Sequence, residues 1–137
     1  MIGLVIASHG QLAAELVSTA KQIVGELPQV ASCSVEPGTS PEELKLHLAD
    51  RIKSVDQGEG VIVFADLLGG SPCTQSLSLC QQARLEVITG VNLPMLIKAN
   101  SLRTTMALHE LALQLTQYGQ RNITCVTETL RLKSSAA

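Results

Sequence analysis

Apolar residues fall along this chain in two kinds of run, and the two kinds alternate. The first is short, continuous and rich in Val and Ile. Gly3–Ala7, Val30–Val35, Gly60–Ala65 and Leu85–Thr89 are of this kind. Such runs, bounded by glycine or polar residues, suit strands buried on both faces. The second kind is spaced by three and four. Leu12, Leu16, Ala20 and Val24, joined by Ala13, Val17 and Ile23, lay one apolar stripe on a helix over Gln11–Val24, with Gly25 as its stop. Leu44, Leu48, Ile52 and Val55 predict a second helix. Its start is Ser40-Pro41-Glu42-Glu43, with Ser40 as cap, Pro41 in the first turn and Glu43 completing a capping box. A third helix is predicted from Ser71-Pro72 to near Ala83. Pro94 and Ser101 mark further starts, and Leu108, Leu111, Ala112 and Leu115 face inward before Gly119. Ile123–Val126 reads as a short last strand.

This alternation predicts an α/β fold: an open three-layer sandwich with a mostly parallel sheet and helices on both faces. No linker, repeat or low-complexity stretch divides the 137 residues, so residues 1–137 are read as one domain. Composition adds that the core is aliphatic, because 45% of residues are apolar while Phe64 and Tyr118 are the only aromatics. The net charge of −2 leaves no basic footprint for nucleic acid or an anionic membrane surface, and two aromatics make no platform for stacking bases. No run approaches the roughly 20 apolar residues of a membrane span. Met1–Ala7 is too short, and lacks the basic region, for a signal peptide. A cytoplasmic protein is expected, with Cys33, Cys73, Cys80 and Cys125 as free thiols.

In open parallel sheets, ligands bind beyond the carboxyl ends of the strands. Three segments following predicted strands are rich in glycine and polar side chains: Ser8-His9-Gly10, Asp66-Leu67-Leu68-Gly69-Gly70-Ser71-Pro72, and Gly90-Val91-Asn92-Leu93-Pro94. His9 is the one histidine so placed. If Asp66 accepts a proton from Nδ1, Nε2 keeps a lone pair that can attack phosphorus and form a covalent phosphoramidate. The surroundings suit an anion. Gly10 permits a tight turn into a helix N-terminus, Gly69-Gly70 can form a nest of N–H groups, and Ser71 adds a donor and a helix cap. Taken singly, each of these residues is an ordinary loop or capping residue; their agreement at one sheet edge favours chemistry. His47 and His109 have no partner at metal-ligand spacing, so neither metal nor other cofactor is expected. Cys73 reads as a space-filling residue. G-x-G-x-x-G, the Walker P-loop and G-x-S-x-G are all missing from the sequence.

With these motifs in order, the sequence resembles the enzyme IIA component of the mannose family of the bacterial sugar phosphotransferase system. The resemblance runs from Met1 to about Val126. It rests on Ser8-His9-Gly10, on Asp66-Leu67-x-Gly69-Gly70-Ser71-Pro72, and on Gly90-Val91-Asn92-Leu93-Pro94-Met95-Leu96. It implies that His9 is the phosphorylated histidine, that Asp66 bonds to it, and that Gly69, Gly70 and Ser71 face the phosphate. It implies the histidine phosphocarrier protein as donor and a IIB component as acceptor, linked at most peripherally to a membrane sugar transporter. It implies a homodimer, and one antiparallel edge strand near the C-terminus, assigned here to Ile123–Val126. Many relatives carry Thr at Ser8, Phe at Leu68 and an aromatic at Cys73, so the apolar rim of this site is smaller. A IIB domain would be a separate protein. If none exists, the expected alternative is a stand-alone phosphoryl acceptor that reports phosphoenolpyruvate supply to a protein partner. A domain feeding a dihydroxyacetone kinase fits less well, because the Gly69-Gly70-Ser71-Pro72 loop is intact.

Overall fold

The structure, a computed structural model, describes residues 1–136. The order is β1 (Gly3–His9), α1 (Leu12–Val24), β2 (Val30–Val35), α2 (Pro41–Val55), β3 (Val61–Ala65), α3 (Ser71–Ser78), β4 (Leu85–Thr89), α4 (Leu93–Leu102), α5 (Leu108–Arg121) and α6 (Val126–Ala136). The four strands form one parallel sheet in the order β2-β1-β3-β4.

The continuous apolar strands are sorted onto two faces by the period of two. Leu4 and Ile6 of β1, Ile62 and Phe64 of β3 and Ile88 of β4 pack with Ala13, Met95, Leu96, Leu111 and Leu115, on the side of α1, α4 and α5. Val5 and Ala7 of β1 and Val61 and Val63 of β3 pack on the other side, with Leu44, Leu48, Ile52 and Val55 of α2. Each fully buried Leu, Ile or Val stabilises by about 1.5–3 kcal/mol relative to exposure. Where α2 ends on β1 the backbones approach closely. A Cβ on Gly3 would run into the Val55 carbonyl oxygen and lie 2.7 Å from its Cγ2. Gly3→Ala is therefore expected to cost about 1–3 kcal/mol. A lowered urea midpoint checks this, and a midpoint equal to wild type would refute it.

Ser40 caps α2 as predicted, its Oγ accepting from the Glu43 N–H at 3.1 Å. Four expectations are corrected. The third helix stops at Ser78, short of Ala83. Its serines bond back to the chain, Ser76 Oγ to the Pro72 carbonyl and Ser78 Oγ to the Gln75 carbonyl. The Leu79 and Cys80 N–H groups then close tight turns onto Ser76 and Leu77. Ser101 lies inside α4 rather than at a helix start, and its hydroxyl donates to the Lys98 carbonyl. Gly70, not Ser71, holds the capping position of α3. The antiparallel edge strand over Ile123–Val126 is not formed; α6 begins at Val126, with the Thr129 N–H bonded to the Cys125 carbonyl. The β propensity of Ile123-Thr124-Cys125-Val126 needs a neighbouring edge to express itself. Among the described residues no strand pairs with this segment, where every residue is exposed, and the Thr129 N–H bond to Cys125 begins a helical pattern instead.

Candidate functional site

Strands β1 and β3 are neighbours, with Ala7 opposite Ala65. Two residues past Ala7 and one past Ala65 bring His9 and Asp66 to the same sheet edge. Here the chain order also reverses: β1 is followed by β2 on one side, and β3 by β4 on the other. Such a switch point leaves a crevice between diverging connections. Gly10 turns the chain out of it in the left-handed conformation, at φ +57°, with its N–H bonded to the Val35 carbonyl at 3.1 Å. Ser8 is fully buried, and its Oγ accepts the Ala13 N–H at 2.7 Å, fixing the first turn of α1 to the strand end.

One carboxylate oxygen orders the site. Asp66 Oδ2 accepts the His9 backbone N–H at 2.9 Å and bonds the His9 ring at Nδ1, 2.7 Å away. Asp66 Oδ1 accepts the Leu67 N–H at 3.0 Å. Burial pushes the Asp66 carboxyl up, but these N–H donors and the nearby imidazole outweigh it and hold it below the usual carboxylate range. Asp66 is thus ionised near neutrality, and an ionised carboxylate only accepts. The proton of the short bond therefore sits on Nδ1, and in the neutral ring it is Nε2 that carries the lone pair. Among the described residues Nε2 has no hydrogen-bond partner, and the His9 side chain is half exposed while that of Asp66 is 9% exposed. A nucleophilic nitrogen with a shielded counter-charge behind it is what covalent capture of an electrophilic phosphorus requires.

The loop after Asp66 reaches the same ring. Gly69 turns at φ +83°, and Gly70 is extended at the start of α3, whose first bond runs from the Thr74 N–H to the Gly70 carbonyl. A Cβ on Gly70 would lie 2.9 Å from His9 Cε1 and 3.1 Å from Leu67 Cδ1. Glycine here makes room for the imidazole and sets the uncapped N-terminus of α3 beside it. The first N–H groups of a helix lack intrahelical partners and favour an anion. Ser71 is exposed as the first helical residue, and among the described residues its hydroxyl makes no hydrogen bond. Leu12, Leu67 and Leu68 are exposed apolar residues of this edge.

The third loop braces the fold rather than the ring. The Val91 N–H bonds the Ala65 carbonyl. Asn92 caps α4 through the Met95 N–H at 3.1 Å and donates to the Gly119 carbonyl at 3.0 Å, tying α4 to α5. Sequence reasoning missed this capping role and that of Ser8. An Asn or Ser between a strand and a predicted helix is the signal that could have found both. His47 is exposed on α2, and His109 on α5 bonds Glu86 Oε1 at 2.7 Å, near the start of β4 and so toward the opposite sheet edge.

Residues 3–115 match the family model described as PTS system fructose IIA component, PTS being the phosphotransferase system. The chain belongs to this family. Over 98 residues this IIA component is 35% identical to the mannose-specific EIIAB component of the PTS of Escherichia coli strain K12. That match takes in 71% of this chain and 30% of the relative, so the chain spans less than a third of that protein's length. It is also 30% identical over 93 residues to the transcriptional regulatory protein LevR of Bacillus subtilis, covering 67% of this chain and 9% of LevR. Among solved structures, the mannose/sorbose specific IIA subunit of the phosphotransferase system from Enterococcus faecalis superposes with a TM-score of 0.81 at 34% identity, over 90% of this chain and 92% of that one. The resemblance read from the three motifs is thereby borne out, and so is the α/β fold. The IIA components are phosphotransferase-system proteins. Among the described residues, no helix is long and apolar enough to cross a membrane.

Proposed function

We propose that this IIA component is a cytoplasmic phosphoryl carrier, one domain over residues 1–137, working as a homodimer. It accepts phosphate on His9 Nε2 from the histidine phosphocarrier protein and hands it to a IIB component for sugar uptake. The observation that carries this reading is the 2.7 Å bond between His9 Nδ1 and Asp66 Oδ2, with that same oxygen fixed by the His9 backbone N–H. The Nε2 lone pair attacks the phosphorus of the donor's phosphohistidine. The new N–P bond forms as the donor's N–P bond breaks, and that electron pair returns to the donor's ring. Positive charge on the His9 ring is balanced by Asp66, whose bond to Nδ1–H is kept throughout. Gly69, Gly70 and Ser71 face the phosphoryl oxygens with N–H and hydroxyl donors; Gly10, whose N–H is taken by the Val35 carbonyl, serves the phosphate site only through the tight turn it makes beside His9. The same step in reverse, toward IIB, empties the site. Chemistry of this kind is mostly positioning and electrostatics, and no cofactor or metal enters it.

Intact-protein mass spectrometry after incubation with phosphoenolpyruvate, enzyme I and the histidine phosphocarrier protein tests the reading. One acid-labile phosphoryl group, lost rapidly on adding a cognate IIB, is the expected result. A protein that stays uncharged beside cognate donors would overturn it. Gly70→Ala probes the positioning. The added methyl displaces the imidazole, and transfer is expected to slow by about 10- to 100-fold while the melting temperature holds or rises slightly. Wild-type rates would mean that the ring is not held where the geometry has it.

The LevR likeness favours a second reading, a regulatory module whose partner senses the charge on His9. Pull-downs with charged and uncharged protein should then differ. Identical partner sets would remove its basis.

A further inference from the structure

At the sheet edge opposite His9, where β3 and β4 begin, a groove of about 580 Å³ opens between the C-terminal half of α2 and the turns after α3. Its apolar lining is Ala49, Ile52, Leu79 and Ala83. Lys53 and Arg84 also line it. Both are exposed, and among the described residues neither belongs to an ion pair. The one carboxylate in the lining, Asp56, is held at the groove wall, its Oδ1 accepting the N–H groups of Gly58 at 2.8 Å and Gly60 at 3.3 Å, and it offsets one of the two positive charges. A second hollow of about 300 Å³ shares Ala49, Leu79 and Gln82 with the first and continues along α2 to Leu46, which is 70% exposed, with the oppositely charged Glu42 and Lys45 also in its lining.

From this geometry we propose that the groove is a binding site for a small amphipathic anion, an aliphatic carboxylate or phosphate monoester. Its head lies between Lys53 and Arg84, and its aliphatic body runs over Ala49 and Leu79 toward Leu46. Lys53 and Arg84 outnumber the single carboxylate of Asp56, so the lining is net positive and sets the sign of the head. The continuing hollow sets the shape of the body. The volume falls within the range of small-molecule sites, about 300–1,000 Å³. Burying the ligand's chain removes apolar surface from water on both sides, and the head gains charge-assisted hydrogen bonds from guanidinium and ammonium. Because β1 and β3 place His9 and Asp66 at the other end of the sheet, occupation leaves the His9 ring untouched.

Isotope-labelled protein is titrated separately with octanoate and with octyl phosphate, both kept below micelle formation, while backbone amide shifts are followed. Inorganic phosphate and 1-octanol serve as controls for the head alone and the chain alone. Saturable shifts centred on Ala49, Gly58 and Arg84 with the two amphipathic anions, and much weaker binding of each control, are expected. Which of the two binds tighter names the head group. The double variant Lys53→Gln, Arg84→Gln should weaken binding by about tenfold or more, the size of losing charged hydrogen bonds. His9→Ala should bind as wild type does, so this result stands apart from the fate of the carrier reading. Non-saturable shifts, octanol binding as well as octanoate, an unchanged double variant, or shifts centred on His9 and Leu68 would each overturn the proposal.

Discussion

His9→Ala is expected to abolish phosphoryl uptake outright. No partial activity is expected, because the step needs a nitrogen lone pair, a balanced charge and nearby anion donors together. Within the described structure only the Asp66 edge unites them. The sharpest internal control is His109. Its Nδ1 lies 2.7 Å from Glu86 Oε1, the same separation as in the His9 pair. Yet the His109 side chain is 71% exposed and that of Glu86 31%, so water screens the pair. Mass spectrometry of the variant with active donor proteins should show the unmodified mass. One acid-labile group retained would move the chemistry to another histidine, and peptide mapping would say which.

Asp66→Asn should leave the fold intact and slow transfer by roughly 10²- to 10⁴-fold. Three N–H donors converge on this side chain: the His9 backbone, the His9 ring and Leu67. An amide has one accepting oxygen and one donating nitrogen, so no orientation serves all three. With the oxygen toward His9, the amide nitrogen opposes the Leu67 N–H, and the charge formed on the ring goes unbalanced. With the nitrogen toward His9, Nδ1 must accept, the proton moves to Nε2, and the attacking lone pair is lost. Transfer at wild-type rate would refute the orienting role. The same carboxylate carries a pH signature. Its folded pKa lies below the usual value, so its stabilising contribution is complete above the ordinary carboxylate range, about pH 4. That contribution is lost as pH falls through the depressed value, and stability falls with it. Acid unfolding followed by circular dichroism should show this component in wild type and lack it in the Asn variant.

Much of this protein is legible in one dimension. The four parallel strands and the first two helices follow from short Val- and Ile-rich runs and from spacings of three and four, because a buried strand and a one-sided helix each demand that pattern. The glycine- and polar-rich segments that follow the strands are legible too. A parallel sheet sends the carboxyl ends of its strands to one edge, so His9 and Asp66 are candidates before any coordinate is known. Capping is less legible: α3 starts at Ser71 as its sequence suggests, but the cap is the extended backbone at Gly70 and not the Ser71 side chain. The C-terminal segment is least legible. Ile123-Thr124-Cys125-Val126 is a strand by composition, and whether it becomes one depends on an edge that the segment does not itself supply.

What the sequence alone determined is therefore the class of fold and the kinds of residue at its functional edge, since both depend on local periodicity and side-chain chemistry. The tertiary structure decided which of those residues meet. The register of β1 against β3 brings together two residues 57 positions apart and sets 2.7 Å between Nδ1 and Oδ2. It decided that Asn92 braces α4 while Gly70 clears space for the ring. It also left Lys53 and Arg84 unpaired over an apolar floor. Distance, burial and the absence of a partner are properties of three-dimensional neighbours, and no spacing along the chain encodes them.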